Sequence, residues 1–190
     1  MRLDLVVGPN GAGKSTFVRF VVAPALPGSM FVNADAIAAQ RWPDDPASHA
    51  YEAARIADKT RARLVEERRP FIAETVCSHR SKLELVHAAR AARFYVAVHV
   101  VMVPQDLAAA RVAARVAAGG HDVPVAKIRE RHRRLWAVVA EAATHADTAT
   151  FWDTSRVDGP RQVALVADGL VVGDTAWPDW TAYVLPRRWP

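Results

Sequence analysis

The eight residues GPNGAGKS at positions 8–15 constrain this chain more than any other feature. They satisfy the pattern G-x-x-x-x-G-K-[ST] and stand between an apolar stretch at 3–7, which predicts a strand, and a helix-forming stretch at 14–22. A strand that enters a glycine-rich loop and leaves it as a helix makes a phosphate cradle. The glycines let consecutive amides turn inward, and the helix N-terminus adds partial positive charge. Gly8, Pro9, Asn10, Gly11, Ala12, Gly13, Lys14, Ser15 and Thr16 are therefore the expected contacts of a nucleoside triphosphate. Lys14 is expected to reach the beta and gamma phosphates, and the Ser15 hydroxyl to coordinate Mg2+. No N-K-x-D element for guanine accompanies the loop, which argues against a regulatory GTPase.

Strand-like and helix-like stretches alternate along the rest of the chain. Strands are expected at 30–33, 71–74, 94–103 and 149–152, and helices at 49–68, 82–93, 108–118 and 124–143, with Pro70 and the Gly119–Gly120 pair as stops. This alternation specifies an α/β protein, a P-loop three-layer sandwich with a mostly parallel five-stranded sheet. From Asp158 the pattern changes to short strands at 163–166 and 170–172 between DG and GD turns, a small C-terminal hairpin. The reading is one domain, with a core at 1–155 and an appendage at 156–190.

Composition bounds the chemistry. Hydrophobic residues make up 51% and charged residues 24%, as in soluble globular proteins, which excludes a disordered or collagen-like chain. The longest apolar run, 94–103, is about half a membrane span, and with no signal peptide and Cys77 the sole cysteine a cytoplasmic protein is expected. The net charge of +5 is carried by 21 Arg against 4 Lys. Arginine suits bidentate phosphate recognition, although an Arg- and Ala-rich composition follows equally from genomic base usage. Scattered tryptophans do not make the aromatic stripe expected of a nucleic-acid binder.

In open parallel sheets the ligand lies outside the carboxyl ends of the strands. Asp35, Glu74 and Asp153 each fall at or just past a strand end, on the same edge as the P-loop. Asp35 can accept a proton from an attacking hydroxyl, or it can cap a helix beginning at Ala36. Glu74, with Thr75 beside it, can hold the metal through water or bind an acceptor hydroxyl, or it can be a surface carboxylate. Asp153 fits a turn as well as a site. Six arginines between 111 and 134 flank GGHDVP, which describes a helical lid. Arg111, Arg115 and Arg129 are expected over the phosphates and His121 at a hinge, with Arg131 and Arg134 on a solvated face.

GPNGAGKST, VNADAIA, FIAET, RVAARVAAGGHDVPVAKIRERHRRL and FWDTS, in this order, resemble the zeta-toxin family of P-loop kinases, in its short single-domain bacterial branch. The resemblance covers about four-fifths of the chain. It implies an adenylate-kinase-like core that transfers the ATP gamma phosphate to a hydroxyl of a nucleotide sugar such as UDP-N-acetylglucosamine. Asp35 then matches the catalytic base, Lys14 and Ser15 the ATP and magnesium contacts, Glu74 the substrate-binding acid and Arg115 a phosphate-stabilising arginine. The family usually carries a threonine two residues after the glutamate, where this chain has Val76. Family toxins pair with a small antitoxin protein, which the resemblance implies as a partner here. The other acceptor classes are a nucleoside, a sugar, an antibiotic or a nucleic-acid end.

Overall fold

A computed structural model describes residues 1–117 and 125–190. The chain opens with β1 (Arg2–Val7) and α1 (Lys14–Phe17), which continues through a π-helical turn (Val18–Val22) into α2 (Ala23–Ala25). Then come β2 (Met30–Val32), α3 (Ala34–Arg41), α4 (Ala50–Glu66) and β3 (Phe71–Thr75). A 3-10 turn (Arg80–Lys82), α5 (Leu83–Ala91), β4 (Tyr95–Met102), α6 (Gln105–Ala117) and α7 (Val125–His145) follow. The chain closes with β5 (Thr148–Asp153), β6 (Arg161–Ala167), β7 (Leu170–Val171) and α8 (Val184–Arg188).

All strands join one seven-stranded sheet in the order β2-β3-β1-β4-β5-β6-β7. The five expected strands run parallel, so their carboxyl ends share one edge with the P-loop. The C-terminal hairpin does not stand apart: β6 pairs antiparallel with β5, and β7 with β6.

Side chains alternate between the two faces of each strand, and β1 shows the result. Leu3, Leu5 and Val7 enter a cluster with Leu64 of α4, Val86 of α5, Leu135 and Val139 of α7 and Leu185 of α8. Val6 enters a second cluster with Phe17 and Val18 of the first helix, Val101 of β4 and Ala108, at the start of α6. Helices thus cover both faces of the sheet. Each such buried Leu or Val contributes roughly 1.5–3 kcal/mol relative to exposure.

Element ends differ from expectation by a few residues, for identifiable reasons. α4 stops at Glu66, and Arg68 takes a left-handed φ of 53° just before Pro70. α6 begins at Gln105, because the Pro104 carbonyl already accepts the Ala108 amide at 2.9 Å. The helix stop expected at Gly119 and Gly120, Pro124, and His121, expected at a hinge, lie outside the described residues. α8 was not expected: it spans only five residues, one of them Pro186. Tertiary contacts hold it in place. Trp177 and Trp189 pack on Phe151, and the Trp189 indole donates to the Gly169 carbonyl at 3.0 Å. No helix among the described residues is long and apolar enough to cross a membrane.

Candidate functional site

The P-loop is shaped by close packing against neighbouring backbone. A Cβ on Gly8 would lie 2.1 Å from the Val101 carbonyl oxygen, and one on Gly11 would lie 2.3 Å from that of Ala108. Only glycine lets the loop approach β4 and α6 this closely. Thr154, just past β5, fastens the loop from below: its hydroxyl lies 2.8 Å from the Ala12 carbonyl and 2.9 Å from that of Met102. Sequence reasoning passed over Thr154, although it stands within the FWDTS stretch.

Lys14 is buried and donates from Nζ to the Pro9 carbonyl at 3.0 Å. Burial pushes its pKa down and the positive charges of Arg115 and Arg131 push the same way, while Glu74 and Asp35 oppose them. Ser15 and Thr16 sit exposed on the first turn of the helix. The Ser15 hydroxyl lies 2.9 and 3.1 Å from the two oxygens of the Glu74 carboxylate, to which it donates. Glu74 is only 7% exposed, so it is no surface strand-end carboxylate. Val6, two residues before Gly8, faces Glu74 in the β1–β3 register, which brings β3's last carboxylate to the loop.

Asp35 lies in the first turn of α3. The helix is capped by Asn33, whose side-chain oxygen accepts the Ala36 amide at 2.9 Å. Asp35 is therefore not the cap, and it lines a cavity of about 470 Å³ together with Asn10, Lys14, Glu74 and Thr75. Ala47, Ala50 and Ala54 form one small-residue wall of that cavity. Among the described residues six cationic side chains, Lys14, Arg61, Lys82, Arg115, Lys127 and Arg131, line it against the two carboxylates of Asp35 and Glu74, with Arg61 and Lys82 also paired to Asp58. Such an imbalance suits an anionic ligand.

The arginines expected in a lid divide differently from the sequence reading. Arg115 lines the cavity. Arg131, expected on a solvated face, also lines it, with Lys127 one turn earlier on α7. Arg129 faces the other way, with Nη2 3.9 Å from Asp106 of α6. The apolar positions of α7 explain this. Buried Ile128 and Leu135 define the inward face, and residues 127 and 131 border it on one flank while 129 borders it on the other. Arg111 does not reach the cavity; its Nη2 donates to the Thr154 carbonyl at 2.9 Å and braces the strand end under the P-loop. Asp153 forms a turn, its Oδ1 accepting the Ser155 amide at 2.8 Å. Cys77 is 1% exposed and its thiol is pushed up to about 12 by burial, which keeps it protonated and unreactive.

Arg61 and Lys82 were missed by sequence reasoning: Arg61 stands in RARLVEERR, which looks like an exposed helix face, and Lys82 at the start of the helix expected at 82–93. Arg61 is buried; it donates from Nη1 to Asp58 at 2.7 Å and from Nη2 to the Glu74 carbonyl at 3.0 Å. Lys82 donates to both oxygens of Asp58 at 2.8 and 2.9 Å.

A family model described as an AAA domain, AAA_33, matches residues 3–138. No curated protein matches the chain. Among solved structures, the AvrRxo1-ORF1:AvrRxo1-ORF2 complex with sulphate ions is similar at a TM-score of 0.71 and 16% identity, over 90% of this chain and 60% of that one. The same complex has been solved with ATP, at a TM-score of 0.68 and 17% identity. The chain thus spans about 60% of the length of these first relatives. A structure from the PezAT chromosomal toxin–antitoxin system of Streptococcus pneumoniae matches at 0.62 and 12% identity, over 80% of this chain and 66% of that one. Shikimate kinase from Acinetobacter baumannii in complex with shikimate matches at 0.52 and 17% identity, over 84% and 86%. These likenesses show a P-loop kinase-like fold.

Proposed function

We propose that this chain, which belongs to the AAA_33 family, is an ATP- and magnesium-dependent phosphotransferase. In this reading it passes the gamma phosphate of ATP to a hydroxyl of an anionic small molecule, a nucleotide sugar such as UDP-N-acetylglucosamine. The observation that carries this reading is the convergence of Lys14, Asp35, Glu74 and a surplus of cations on one cavity beside the P-loop. We assign residues 1–155 to the phosphotransfer core and 156–190 to a C-terminal piece of the same domain.

Each residue has a task in this mechanism. The P-loop amides hold the phosphates, and Lys14 neutralises charge on the beta and gamma groups. Asp35 accepts the proton of the acceptor hydroxyl as its oxygen bonds to the gamma phosphorus and the bond to ADP breaks. Arg115 and Arg131 stabilise the charge spread over the transferring oxygens and help to exclude water. Glu74 and Thr75 orient the acceptor. Ser15 Oγ and the Glu74 carboxylate, 2.9–3.1 Å apart, are the hard oxygen donors Mg2+ takes. Such an ion takes one or two carboxylates and fills its remaining positions with phosphates and water, so these residues fit it. When bound, the ion supplies neutralisation of the phosphate charge.

The toxin–antitoxin origin of the PezAT neighbour supports a small antitoxin protein as a partner of this chain. The test of the activity is incubation with ATP, Mg2+ and a panel of nucleotide sugars, nucleosides, shikimate, gluconate and 5′-hydroxyl oligonucleotides, read by mass spectrometry for one added phosphate. A nucleotide sugar should gain it, and Asp35→Asn should lower the rate by about a hundredfold or more. Transfer to another panel member, or none, overturns the acceptor, and a wild-type rate in Asp35→Asn overturns the base.

A further inference from the structure

We infer that Arg61 is a positioning residue for Glu74, its buried guanidinium holding the Glu74 carbonyl at the end of β3 while it pairs with Asp58. For its effect on turnover this rests on the phosphotransfer reading above; for its effect on the strand it does not.

The argument begins with strand length. β2 pairs with β3 at Met30–Phe71, Phe31–Ile72 and Val32–Ala73 and then ends. The next residue of β3 is Glu74, and its carbonyl takes its hydrogen bond from Arg61 Nη2 at 3.0 Å. A buried carbonyl needs a donor, and just past the last β2–β3 pair a side chain of α4 supplies it. The chain turns at Asn33 to cap α3, which sets Asp35 in the first helical turn on the cavity. Ending β2 at Val32 thus lets the chain turn and set Asp35 on the site, while Arg61 holds the β3 carbonyl just past the last β2–β3 pair.

A neutral donor would avoid burying a charge, so the guanidinium needs a further reason. Arg61 is 4% exposed, and among the described residues its Nε finds no partner. Its planar fork does what an amide cannot: one arm holds the Glu74 carbonyl and the other holds Asp58. Asp58 also holds Lys82, on the far side of the segment that leaves β3. One carboxylate therefore clamps two cations around the strand exit, and the Glu74 carboxylate projects from that clamped backbone to Ser15.

The test compares wild type with Arg61→Met, Arg61→Lys and Asp58→Asn. Amide exchange of the segment 71–79 in the free protein is read by mass spectrometry. Arg61→Met should speed exchange there by about tenfold while β1 and β4 keep their protection. Arg61→Lys, which keeps the charge and reaches one partner, should fall between. A double-mutant cycle on transfer to UDP-N-acetylglucosamine supplies a readout that a merely structural role would not move. Arg61→Met should lower kcat by about tenfold in wild type but by less than about threefold in Glu74→Gln, where there is no carboxylate left to position. Unchanged exchange, or an equal loss in both backgrounds, overturns the inference. If wild type transfers nothing to UDP-N-acetylglucosamine, the acceptor reading fails and exchange alone decides the role of Arg61. Should Arg61→Met not fold, Asp58→Asn, at a half-exposed position, carries the same measurements with smaller shifts.

Discussion

Two buried carboxylates of this sheet, Asp4 on β1 and Glu74 on β3, sit in opposite kinds of company. Asp4 is 1% exposed and fully engaged: Arg2 binds both of its oxygens at 2.7 and 2.8 Å, and His99 meets one at 2.9 Å. Burial works to raise its pKa, but the hydrogen bonds from Arg2 and His99 outweigh that and hold it below the usual carboxylate range. Glu74 opens onto a cavity with more cations than anions, among them a lysine whose pKa burial depresses. The first cluster is closed and serves the fold. The second opens onto a cavity, and its cationic bias among the described residues suits an anionic ligand.

The comparison yields three expected outcomes. The largest is for Lys14→Met, which should cut phosphotransfer by about a thousandfold. It should leave stability unchanged or raise it by up to about 1 kcal/mol, because it removes a buried, unfavourably placed charge. Phosphate transfer assays and urea denaturation check both halves, and a marked loss of stability would break the contrast. Next is Asp4→Asn, which should destabilise the fold by about 2–3 kcal/mol by leaving Arg2 and His99 without their anion. The affinity of a fluorescent ATP analogue should stay within about twofold. The smallest concerns pH. The folded pKa of Asp4 is depressed, so its contribution is complete above the unfolded value of about 3.9 and is lost as pH falls below it toward the folded value. Between pH 5 and pH 3, wild type should lose stability more steeply than Asp4→Asn, by about 1 kcal/mol. Parallel slopes in urea titrations would remove Asp4 from the account.

What could be read in advance follows the range of the interactions involved. The P-loop is local: its glycines, Lys14 and Ser15 stand within eight residues, and alternating strands and helices placed Asp35 and Glu74 at one edge of the sheet. Arg131 and Arg129 differ only in the flank of α7 they occupy. The apolar residues Ile128 and Leu135 set that phase and could have separated them. The roles of Arg61, Thr154 and Trp189 were not legible, because each bonds to backbone distant in sequence: Arg61 to Glu74, Thr154 to Ala12, Trp189 to Gly169. Carbonyl partners leave no trace in residue identity. The C-terminal helix escaped for the same reason, its position being set by packing on Phe151 rather than by periodicity.

The short edge strands also bear on how molecules of this protein meet one another. The sheet is bounded by β2, three residues long, and β7, two residues long. Long bare edges recruit strands from other chains and seed aggregation. Here one border strand offers two residues of backbone and the other three, so an incoming strand finds little edge to pair with. The early end of β2, after which the chain turns to set Asp35 on the cavity, therefore also shortens the edge on which the sheet could grow into a neighbouring molecule.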